Sequence, residues 1–93
     1  PAGPPPPRAW ADKDPAAAAR LSAARAAVSA LAEQLHMPQE NLITPDTVRR
    51  VCWEPPRELT PGAVETALAG YGARRWQIEQ VGPLLLRALA TEA

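Results

Sequence analysis

From Pro15 to His36 the chain contains no glycine and no further proline, and Leu21, Ala24, Val28, Leu31 and Leu35 recur at steps of three and four. That rhythm puts them on one stripe of an amphipathic helix, flanked by alanines small enough to let another helix approach closely. Asp14-Pro15 is a start signal, an N-cap side chain followed by a proline at the first helical position. Met37-Pro38 ends the pattern, and residues 39–43 read as a loop with Leu42 and Ile43 turned inward. Thr44-Pro45-Asp46 then opens a short helix with an apolar side of Val48, Val51 and Cys52, which Pro55-Pro56 halts soon after Trp53. Thr60-Pro61 opens another, with Val64, Ala67 and Leu68 inward, Gly70 as its terminator and Gly72 freeing a sharp turn. A last helix is expected over about 73–91. At roughly 100° per residue, its Ile78, Val81, Leu85 and Leu89 share one face and Trp76, Gln80, Pro83 and Arg87 the opposite one. Gly82-Pro83 predicts a kink in it, and Leu84 to Leu86 cannot all reach one side. No segment alternates with period two, so the fold class is all-α: a compact bundle of four to five helices.

The start of the chain follows a different pattern. Residues 1–7 hold five prolines and one glycine, the composition of an extended, semi-rigid polyproline spacer. The division expected is a proline-rich linker over 1–11 and a helical domain over 12–93. Trp10 at the junction has two readings, as a pin fastening the linker to the domain or as a residue of an upstream domain. Ninety-three residues suit one domain, and a chain opening on Pro1 is expected to be a fragment or a processed product. No apolar run approaches the ~20 residues of a membrane span, and nothing resembles a signal peptide. One cysteine excludes an internal disulfide framework and fits the cytoplasm.

Ten basic and ten acidic residues cancel, so any affinity for phosphate must come from local clustering. Nine of the ten cations are arginine, the better residue for bidentate phosphate contact, although a GC-rich genome also favours Arg, Ala and Pro. Catalytic chemistry has little to work with. Asp12-Lys13-Asp14 reads as helix capping rather than metal ligation, His36 as a structural residue at a helix end, and Cys52 as an inert core thiol. No cofactor is expected, and this segment is not read as an enzyme.

The stretch with chemical content is Leu68-Ala69-Gly70-Tyr71-Gly72-Ala73-Arg74-Arg75-Trp76. Two glycines let the backbone turn tightly and approach a ligand, and the next helix offers free N–H groups, the positive end of its dipole and two arginines. This is a cradle for a backbone phosphate; the competing reading is a helix C-cap and a tight turn with solvated arginines. Arg49 and Arg50 extend the patch if the two short helices pack side by side. Trp76 is read either as packed against the proline linker or a preceding helix, or as a platform for an unpaired base.

Taken together, the long amphipathic helix, the loop, the capped short helices, L-x-G-x-G-x-R-R and a final helix with glycine before Leu-Leu resemble the HRDC domain. The likeness is nearer to the HRDC-like C-terminal domain of actinobacterial ribonuclease D-type 3′–5′ exonucleases. It is carried by PPPPRAWA at 4–11, LITPDTVRR at 42–50 and RRWQIEQVGPLL at 74–85. The resemblance implies a non-catalytic accessory domain that follows an exonuclease domain in the same chain and helps it hold RNA or DNA. Gly70, Gly72, Arg74, Arg75 and Trp76 are then the contact residues, assisted by Arg49, Arg50 and Arg87. The alternative is a structural or protein-interaction module, packing on the parent enzyme or dimerising through Leu84, Leu86, Trp76 or the proline segment. A helix-turn-helix reader using the Thr44 helix is disfavoured by that helix's brevity.

Overall fold

The computed structural model describes residues 3–92, and all regular structure within them is helical. A 3₁₀ turn at Pro7–Ala9 leads into α1 (Trp10–Lys13), followed by α2 (Pro15–Gln34), α3 (Gln39–Leu42), α4 (Pro45–Trp53), α5 (Pro61–Gly70) and α6 (Arg75–Leu89). The long α2 is the spine, with α4 and α6 packed against it and α5 lying along α6.

Local chemistry sets most of these boundaries. Asp14 caps α2 by accepting the Ala17 N–H at 3.1 Å, and Thr60 caps α5 by accepting the Ala63 N–H at 3.1 Å. Thr44 sits at the cap position of α4 but its hydroxyl is 2.7 Å from the Thr47 hydroxyl instead, so the expected side-chain cap does not form. The end of α2 is a Schellman turn: Met37 N–H donates to the Ala32 carbonyl and His36 N–H to Glu33, with His36 at φ 54°. Because the helix stops at Gln34, Leu35 is left 38 % exposed and the buried stripe runs through Ala17, Leu21, Ala24, Val28 and Ala32. Residues 39–42 form a helical turn rather than a loop, which seats Leu42 and Ile43 in the core.

The last helix buries Ile78, Val81, Leu85 and Leu89 as its periodicity predicts, and adds Leu84 and Ala88. Leu86 is only partly covered. Pro83 lies within α6 and leaves that helix unbroken.

Trp10 is fully buried. Its indole stacks on Trp53 at a tilt of 53°, ring centroids 4.9 Å apart, and its Nε1–H donates to the Pro5 carbonyl at 2.8 Å. An apolar ring that large gains most by full burial, and the one polar atom it carries is satisfied by the chain immediately before it. Gly3 and Pro4 then line a shallow groove with Arg50, Trp53, Glu54 and Tyr71. The proline stretch therefore lies back along the helices, and the radius of gyration, 12.3 Å, is that of a single folded domain of this length (about 12 Å).

Candidate nucleic-acid interface

The turn between α5 and α6 is a second Schellman turn. Ala73 N–H donates to the Leu68 carbonyl and Gly72 N–H to Ala69, with Gly72 at φ +94°. Gly72 is therefore the terminator, a role the sequence had suggested for Gly70. Gly70 is the last helical residue of α5, and a Cβ there meets nothing within 4 Å. Both glycines are exposed, so any close approach they permit is to a molecule outside the domain.

Arg74 is the N-cap of α6 and Arg75 its first residue. An arginine side chain has no acceptor, so it cannot cap the N–H groups of the first turn. Only half of a capping box forms: Gln77 Oε1 accepts the Arg74 N–H at 2.7 Å. Gln77 is buried and its Nε2 donates to the Asn41 carbonyl at 3.1 Å, which fastens the start of α6 to α3. The N–H groups of Arg75, Trp76 and Gln77 are left at the positive end of the helix dipole, with no acceptor side chain for them among the described residues.

Arg74 and Arg75 are exposed, and among the described residues neither lies within ion-pair distance of a carboxylate. No acid occurs between Glu65 and Glu79, so the turn is locally cationic in a neutral chain. Arg75 also edges a groove of about 310 Å³ between α5 and α6, shared with Glu65, Thr66, Ala69 and Ile78. Trp76 is 42 % exposed. Gly70, Gly72, Arg74, Arg75 and Trp76 are each exposed.

The other arginines are placed differently. Asp46 accepts from Arg50 Nε at 2.7 Å and from Arg49 at 3.5 Å. The hydrogen bond from Arg50 holds the Asp46 carboxyl below its usual range and raises Arg50 in turn. Both guanidiniums are therefore engaged within α4. Arg50 nonetheless borders Tyr71, the C-cap of α5, through the groove with Gly3 and Pro4, so it adjoins the turn. Arg87 is exposed but lies about 18 Å along α6 from Arg75, too far to share one phosphate.

Two contributors went unnoticed in the sequence. Gln77 was visible as a Gln three residues after the cap, the capping-box spacing. Tyr71 carried no signal, because its nearness to Arg50 depends on tertiary packing. Among the described residues no three His, Cys, Asp or Glu side chains converge to hold a metal ion, and no helix is long and apolar enough to cross a membrane.

Residues 3–89 match the family model described as the 3′ to 5′ exonuclease C-terminal domain. A solved structure, the crystal structure of a protein from Bifidobacterium adolescentis, is similar at a TM-score of 0.82 and 33 % identity, over 96 % of this chain and 21 % of that one. The chain thus spans about a fifth of that protein's length. Comparison with curated proteins returns no match.

Proposed function

The chain belongs to the family of 3′ to 5′ exonuclease C-terminal domains, and from that premise we propose that it is an accessory, non-catalytic domain that holds the sugar-phosphate backbone of RNA or DNA for a ribonuclease D-type 3′–5′ exonuclease of the cytoplasm. The observation that carries this reading is the start of α6, where, among the described residues, the backbone N–H groups have no side-chain acceptor and two exposed arginines have no carboxylate within ion-pair distance, beside a half-exposed tryptophan. Backbone amides at a helix N-terminus and bidentate guanidiniums are the donors that phosphate oxygens take, and an exposed indole gives a base a face to stack on. Arg74, Arg75 and Trp76 are the principal contacts, with Gly70 and Gly72 leaving the backbone open to approach. Arg50 joins only by leaving Asp46, Arg49 likewise, and Arg87 meets a more distant phosphate.

The test is fluorescence anisotropy of a labelled single-stranded oligonucleotide titrated with the chain at low and at physiological salt. Binding should be saturable and fall steeply with salt, and Arg74→Glu with Arg75→Glu should weaken it equally for all sequences. Unchanged affinity in that double variant would remove the α6 start from the interface.

One observation favours a second reading, in which the domain packs on its parent enzyme. Leu86 is partly exposed and lines a small, mainly apolar depression with Pro61, Gly82 and Pro83. Leu84 is buried and takes no part.

A further inference from the structure

Trp10 is the inner anchor of the segment before α2. Its ring is fully buried, its Nε1–H donates to the Pro5 carbonyl at 2.8 Å, and the Ala9 N–H donates to the Pro6 carbonyl at 2.9 Å. Both bonds use the carbonyl, the one backbone hydrogen-bonding group a proline keeps. Pro4 to Pro7 are four prolines in succession, and each fixes its own φ and holds the residue before it to extended backbone. Pro6, at φ −57° and ψ 140°, has the polyproline conformation. Such a run is stiff over several residues and advances about 3.1 Å with each. With Pro5 tied to Trp10 and Pro6 to Ala9, the direction of Pro4 and Gly3 is set by the prolines themselves.

That direction leads to an outer seat. Gly3 and Pro4 share their groove of about 240 Å³ with Arg50, Trp53 and Tyr71, and a Cβ at Gly3 would stand 3.9 Å from Arg50 Nη2. Asp46 accepts from Arg50 Nε at 2.7 Å and so holds that guanidinium in place. Trp53 is also the ring on which Trp10 stacks, so both ends of the segment bear on the end of α4. Tyr71 is the C-cap of α5, and only Gly72 and Ala73 separate it from Arg74, the N-cap of α6.

We infer that residues 3–9 are a stiff strap that fixes where the chain joins the domain, beside the α5–α6 turn, so that a strand held at the α6 start passes next to that junction. A free linker would let the domain turn in any direction relative to the polypeptide before it. A strap anchored at both ends keeps that polypeptide and the phosphate-binding donors on one side. The strap stands on the contacts of Trp10, Pro5 and Gly3 alone; its consequence for the strand rests on the nucleic-acid reading.

The experiment places a nitroxide on the chain through Gly70→Cys or Glu33→Cys, both exposed positions, and reads the broadening of the Gly3 amide and the Pro4 and Pro5 α-proton signals by NMR. Cys52 is buried and stays unlabelled. The label at position 70 should erase these signals. The label at position 33, about 27 Å along α2 from Pro15, should spare them. Pro4→Gly with Pro5→Gly keeps Trp10 and the carbonyl it bonds but removes the stiffness, so the Gly3 signal should return while thermal unfolding still shows a folded domain. Intact Gly3 signals with the label at position 70, or broadening that survives the double glycine variant, overturns the strap. Titration with oligothymidylate then reads the junction, where the amides of Gly3, Arg74 and Arg75 should shift together. Shifts at Arg74 and Arg75 without one at Gly3 overturn the passage of the strand beside the junction. No shift at any of the three overturns the nucleic-acid reading instead and leaves the strap to stand on the label result.

Discussion

Replacing Trp10 by alanine tests whether the segment before α2 is part of the fold. The side chain is fully buried, stacked 4.9 Å from Trp53 and hydrogen-bonded to Pro5. Truncating a buried tryptophan costs about 3–5 kcal/mol, through lost transfer energy and the cavity left behind. In a domain of this size each kcal/mol shifts the midpoint of unfolding by roughly 5 °C, so Trp10→Ala should lower Tm by about 15–25 °C. Trp10→Phe keeps most of the apolar area but removes the indole N–H and leaves the Pro5 carbonyl unpaired. It should cost about 1–2 kcal/mol, or roughly 5–10 °C. The assay is thermal melting followed by the helical circular dichroism signal, with the wild-type chain run alongside. A solvent-facing linker residue would change stability by less than about 0.5 kcal/mol. A Trp10→Ala midpoint within about 3 °C of wild type would therefore refute the placement of Trp10 in the core.

Three further outcomes follow from the packing. Asp46→Asn releases Arg49 and Arg50 and removes a carboxylate, so in the oligonucleotide titration affinity should rise and the salt dependence should steepen by up to about 1.4 in log–log slope; unchanged affinity would exclude α4 from the interface. Gly70→Ala should stabilise by about 0.5–1 kcal/mol because it lies in helix with open space, whereas Gly72→Ala should destabilise by about 1–2 kcal/mol because φ is +94°, and equal effects in a denaturant titration would contradict the assigned terminator. Burial pushes the Cys52 thiol up from 9.0 to about 12, so the folded state keeps a proton that the unfolded chain gives up. That contribution to stability is whole below pH 9 and is lost as pH rises towards 12; the thiol should resist alkylation until the chain unfolds, and Cys52→Ala should flatten the alkaline fall in Tm.

Helix positions were legible because they rest on local signals. The Asp14 and Thr60 caps, the 78–81–85–89 face and the absence of strands follow from periodicity and capping chemistry along a few residues. What the sequence could not decide depended on packing between distant segments. Trp10 had two equal readings until Trp53, more than forty residues on, provided its stacking partner. The end of α2 was expected near His36, two residues beyond Gln34, because His36 occupies a left-handed position more often held by glycine. Arg49 and Arg50 looked like members of a phosphate patch because a sequence shows a charge but not the carboxylate already folded against it. The α6 start was the part of the candidate surface most visible in advance, since glycine, two arginines and a tryptophan adjoin in the chain itself.

The three tryptophans also divide the optical signals of the domain between them. Trp10 and Trp53, tilted against each other in and beside the core, are close enough for their transitions to couple, giving a near-ultraviolet band that vanishes only when the fold opens. Trp76, half-exposed at the first turn of α6, emits from a more polar setting and can be quenched from outside. Emission at the red edge, together with its quenching by iodide or acrylamide, therefore follows events at the α6 start without a label. The coupled pair keeps an internal record of whether the domain stays folded while they occur.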